Sequence, residues 1–118
     1  MKLVIPSEVQ IGGNKIRVRT NEKALDVADL AAQYSAYENI IRLSLIYEGK
    51  PRYVSRVFES LIHEVIHAID GLYLREIEEK QTGALASGLT QAFLSLGIEP
   101  DFSQILEEDK DDGNRATD

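Results

Sequence analysis

Residues 61–70 read LIHEVIHAID and carry both histidines of a 118-residue chain, four positions apart with Glu64 directly after the first. An α-helix advances ~100° per residue, so His63 at 0° puts His67 at ~40° and Asp70 at ~−20°. From Arg52 onward the period supports that helix. Val54, Val57, Phe58, Leu61, Ile62, Val65, Ile66 and Ile69 recur at spacings of three and one and end near Gly71. Their stripe centres near ~−150° on the same wheel. The two imidazoles therefore leave the helix together, from a face the core does not claim. Side chains four apart stand about 5–6 Å apart at Cβ, within reach of one ion. Chance alone places two histidines and a following glutamate this way in about two of a thousand such chains.

The chain has no cysteine, so a metal here is held by nitrogen and oxygen alone. Zinc suits such a pair, with Zn–N bonds of about 2.0–2.1 Å and a tetrahedral preference that leaves one position for water. Glu64, at ~+100°, flanks the pair and is placed to take a proton from that water, whose pKa zinc lowers to about 7. HExxH supplies two ligands only. The third comes from Asp or Glu, or from a partner chain. The next segment, LREIEEKQTGALASGL (residues 74–89), offers Glu76, Glu78 and Glu79 at the start of a second helix. Helical phase does not choose between the last two: Glu78 aligns with Leu85 and Ala92, Glu79 with Ala86 and Phe93. Otherwise they are helix-start charges favoured by the dipole. Asp70, on the histidine side, is placed to accept Nδ1–H from a ligand ring. Tyr73, Tyr47 and Tyr53 offer phenols for a developing oxyanion, against the commoner role of a packing tyrosine.

Around this core motif, VQIGGNKIRVRT (9–20) has the alternation and glycine turn of a β-hairpin. NEKALDVADLAAQY (21–34), capped by Thr20 or Asn21, reads as a short helix. NIIRLSLIYEG (39–49) puts Ile41, Leu43 and Leu45 on one face of a strand, closed by the turn EGKP. A second helix is expected over 78–96, with Leu85, Leu89, Ala92, Phe93 and Leu96 on its apolar side, ended by Gly97 with Pro100 beyond. This order predicts an α+β domain with helices packed on a small sheet.

The net charge of −7 is uneven: residues 99–118 carry −6 and residues 1–98 only −1. The expectation is a single domain over 1–98 and an acidic, disordered tail over 99–118. No basic surface suited to nucleic acid is present, no run approaches the ~20 apolar residues of a membrane span, and MKLVIPSEVQ is no secretory signal. A cytoplasmic protein with neither nucleic-acid nor membrane partners is expected.

SLIHEVIHAID and EKQTGALASGL, with a glutamate six residues before an LAxGL segment, resemble small HExxH metallopeptidase-like proteins of phages and prophages. VQIGGNKIRV and NIIRLSL are similar to that family's opening hairpin and pre-motif strand. The resemblance spans about residues 5–97 and implies a minimal zincin of the gluzincin type. Zn2+ is then held by His63, His67 and Glu79, with Glu78 the alternative third ligand. Glu64 is the catalytic base, and a peptide or protein is the substrate. About eleven residues separate His67 from Glu79, which leaves no room for a large second lobe, so a partner protein or homodimer is a candidate to complete the cleft. The strand at 40–46 is expected to offer its backbone edge to an extended substrate. The alternatives are a catalytically silent binding or regulatory module that keeps the metal or merely the fold, and a helical scaffold indifferent to chelators.

Overall fold

The computed structural model describes residues 1–20, 25 and 30–105. Strands β1 (Lys2–Val4), β2 (Glu8–Ile11), β3 (Asn14–Arg19), β4 (Ala32–Ser35), β5 (Ile40–Leu43), β6 (Ile46–Tyr47) and β7 (Lys50–Pro51) precede two long helices. These are α1 (Val54–Ile69) and α2 (Glu79–Ser95), joined through a π-helical turn at Asp70–Leu74, and strand β8 (Glu99–Asp101) follows. The fold is α+β. No helix among the described residues is long and apolar enough to cross a membrane.

The expected hairpin is β2–β3, paired antiparallel from Glu8↔Arg17 to Ile11↔Asn14. Its turn needs glycine at Gly12, where φ is +62° and a Cβ would lie 2.7 Å from the Tyr73 hydroxyl. The EGKP turn links β6 to β7 with Glu48 and Gly49 both at positive φ, as a two-residue type I′ turn requires.

The four-stranded sheet runs β2-β3-β5-β4, with β5 parallel to β3 and antiparallel to β4. Two expectations change here. The helix expected over 21–34 falls largely outside the described residues; Leu25 is helical and fully buried, but Ala32–Tyr34 belong to β4. Strand 40–46 is not an edge either. Its regular part, β5, is flanked on both sides, so β4 takes the edge.

Ile16, Val18, Ile41 and Leu43 are fully buried and form one cluster with Val57, Phe58 and Leu61 of α1. α2 packs antiparallel on α1, with Phe58 and Phe93 rings 6.3 Å apart at one end and Glu79 near the histidines at the other. It does so with Thr82, Ala86 and Thr90, whereas Leu85, Leu89 and Leu96 are exposed, contrary to the expected apolar side. Of the expected side only Phe93 packs against the core, while the small residues Thr82, Ala86 and Thr90 take the buried positions. The Thr82 and Thr90 hydroxyls donate back to Glu78 O and Ala86 O, so they need no partner across the interface. Gly97 at φ +90° ends α2 as expected, with Gly97 N–H on Leu94 O and Ile98 N–H on Phe93 O.

The domain boundary also moves. β8 pairs in parallel with β1, and Phe102 and Ile105 are buried in the core, so residues 99–105 belong to the domain and not to a tail. Residues 106–118 lie outside the described residues. Ile105→Ala should cost about 2–5 kcal/mol, the range for emptying a core isoleucine site. Urea unfolding measures it, and a loss under about 0.5 kcal/mol would put residue 105 back in a tail.

Candidate metal centre

α1 brings His63 and His67 to one side with ring centroids 4.8 Å apart. The chain then reverses through the π-helical turn, closed by Arg75 in the left-handed region at φ 56° with its N–H on Asp70 O. Gly71 does not take that role. Asp70 Oδ1 accepts the N–H groups of Glu76 and Ile77 at 2.8 and 3.0 Å. Asp70 thus fastens the linker that carries Glu79 back, instead of orienting an imidazole as expected.

Glu79, the first residue of α2, spans both rings: Oε1 is 2.7 Å from His63 Nε2 and Oε2 is 2.9 Å from His67 Nε2. Both contacts are at hydrogen-bond length, with Nε2 donating in the tautomer that carries its proton there. One ligand atom from each residue lies within 4.8 Å of the other two, close enough to bind a metal ion. Two ligands at ~2.0–2.1 Å on a tetrahedral ion stand about 3.3–3.4 Å apart. The two N···O distances are shorter than this and the three ligand atoms lie within 4.8 Å of one another, so side-chain adjustment, for which the exposed Glu79 has room, brings them to that spacing. The donor set fits a metal.

The other candidates lie elsewhere. Glu78 caps α2, its backbone N–H held by Gln81 Oε1 at 2.9 Å. Tyr73 packs over the β2–β3 turn, and Tyr47 and Tyr53 are absent from the cleft lining. No oxyanion donor is assigned to any of the three.

The cleft encloses about 820 Å³ between α1 and the edge strand, lined by Ala31–Tyr34 on one wall and Glu59, Ser60, His63, Glu64 and His67 on the other, with Glu79 and Gly83 from α2. Glu64 is only 8% exposed. Its carboxyl lies near the Tyr34 backbone N–H. Tyr34 and the whole of β4 were missed in the sequence, where AAQY carries helix-forming residues and no alternation. Ala31 O, by contrast, accepts Ser44 N–H on the β5 side. Since N–H and C=O groups alternate sides along an antiparallel strand, Ala32 and Tyr34 present theirs away from β5.

No family model, curated protein or solved structure matches this chain.

Burial pushes the Glu64 carboxyl above the ordinary 4.5; His67 lowers it, Glu79 raises it and the Tyr34 N–H lowers it. In metal-free protein the stability tied to this proton is complete below the unfolded value and is lost as pH rises through the folded one. With chelator present, the Tm advantage of Glu64→Gln over wild type should therefore grow from pH 4.5 toward neutrality. A pH-independent difference would contradict burial of the charge.

Proposed function

We propose that this chain is a zinc-dependent hydrolase of peptide bonds, a minimal zincin-like metallopeptidase of the small phage and prophage type. The observation that carries this is the meeting of His63, His67 and Glu79 beside a buried Glu64, under an edge strand. When bound, zinc supplies Lewis acidity, polarising a carbonyl and easing deprotonation of water near neutral pH. The chain's own residues account for the rest. Glu64 is a carboxylate whose affinity for a proton is raised by burial, which suits a base that must hold a proton between two steps. It takes the proton of the attacking water as the C–O bond forms and returns it to the amine as the C–N bond breaks. An extended peptide lies along β4, its backbone paired with the Ala32 N–H and C=O that face away from β5. The Tyr34 N–H, near the Glu64 carboxyl, places that group beside this line.

Zinc titration and peptide turnover test the roles separately. Glu64→Gln should keep stoichiometric zinc and lose hydrolysis by about two to four orders of magnitude, as removal of a general base does. His63→Ala should lose the metal, and stoichiometric zinc in that variant would overturn the ligand set. Glu79→Ala should weaken zinc by more than the 10–100-fold typical of an outer partner, with Glu78→Ala within a few-fold of wild type. Zinc uptake by wild type without turnover of any peptide would favour the silent binding module.

A further inference from the structure

Arg52 lies just before Tyr53, the N-cap of α1, and its guanidinium joins three parts of the fold. Nη1 donates to Ala31 O at 3.2 Å and Ser44 O at 2.9 Å; Nη2 donates to Arg56 O at 3.2 Å and Ser60 Oγ at 2.7 Å. Ala31 leads into the edge strand β4. Ser44 follows β5, is fully buried, and donates its own N–H to Ala31 O at 2.9 Å. Ser60 sits on α1 one turn before Glu64. Ala31 and Ser60 line opposite walls of the cleft, so one planar side chain ties its two walls together.

We infer that Arg52 is a positioning residue that sets the spacing between β4 and α1, and through it the grip of the cleft on an extended peptide. The peptide half of this inference rests on the hydrolase reading; the spacing half does not. The guanidinium is suited to the task because its donors diverge in a fixed plane, so one nitrogen serves the strand side while the other serves the helix. A lysine ammonium at this position offers donors from a single atom and cannot span both walls at once. The metal ligands need none of this. His63, His67 and Glu79 are held by α1, the π-helical turn and α2, and none of them bonds to Arg52. Loss of the bridge should therefore leave metal binding intact and loosen only the strand wall.

Two measurements on the full chain test this. In metal-free Arg52→Lys, amide hydrogen exchange at Ser44 and Tyr34 should accelerate about tenfold or more, while the amides of Leu61–Ala68 stay within about twofold of wild type. Equal acceleration along α1, or none at Ser44 and Tyr34, would overturn the spacing role. In zinc-loaded protein, Arg52→Lys should weaken an alanine tetrapeptide hydroxamate about tenfold and leave acetohydroxamate, too short to reach β4, unchanged. Equal loss of both probes, or of neither, would overturn the peptide role. Ser60→Ala removes one arm of the bridge without touching the arginine and should shift both readouts in the same direction by less. If wild type takes up no zinc, the hydrolase reading fails while the exchange rates still decide whether Arg52 spaces the walls.

Discussion

The Glu79 carboxylate resting on both imidazole nitrogens is the contact around which the other features of the site are arranged. It exists only because α2 returns along α1. Thr82, Ala86 and Thr90 are the buried positions of α2, Phe93 meets Phe58 at its far end, and its first residue reaches the histidines. The π-helical turn and the left-handed Arg75 set where α2 begins, and Asp70 holds the linker by two backbone N–H groups. A leucine at the Ala86 position would push the helices apart, and the carboxylate would withdraw from both rings together. Ligand geometry at one end of α2 thus depends on side-chain volume in its middle.

How far the sequence reveals this depends on which force decides each element. The spacing of His63 and His67 is legible because helical periodicity alone sets it, and α1 has a long apolar stripe to anchor the phase. The β2–β3 hairpin is legible because Gly12 has a backbone conformation few other residues tolerate. α2 is legible as a helix but not in its orientation: hydrophobicity favours Leu85 and Leu89, whereas Thr82, Ala86 and Thr90 take the buried positions and leave those leucines in solvent. β4 is hidden because Ala32, Gln33 and Tyr34 have no strand pattern of their own and are strand only by pairing with β5. Arg52 is hidden for the opposite reason. An arginine before a helix reads as a surface charge, and only the tertiary fold shows four acceptors around it. Phe102 and Ile105 were obscured by averaging charge across twenty residues, which let the acids beyond them describe the whole segment.

The sheet order has a further consequence for the cleft. Had β5 been the edge, its three buried aliphatic side chains and its backbone would have had to serve core and ligand at once. With β4 outside it, β5 keeps Ile40, Ile41 and Leu43 buried while the short outer strand is left to face the cleft. A short edge strand beside a helix is also guarded against unwanted pairing.

Electrostatics completes the argument for a cation. Among the described residues, the cleft lining includes Glu59, Glu64 and Glu79 and no lysine or arginine. Glu64 is nearly sealed from water and Glu79 raises its affinity for a proton further. A purely structural cluster would relieve such crowding with a basic side chain, as Arg42 does for Glu38 at 2.7 Å on the sheet. Glu59 has such a partner in Arg56 at 3.3 Å, whereas the groups facing Glu79 are two histidines, whose ring nitrogens bind metal ions as a guanidinium does not. Positive charge placed between His63, His67 and Glu79 would neutralise one carboxylate directly and lower the cost of ionising the other. A carboxylate set against two imidazoles, beside a second carboxyl that burial holds above its ordinary pKa, is a pattern commoner at binding centres than in cores.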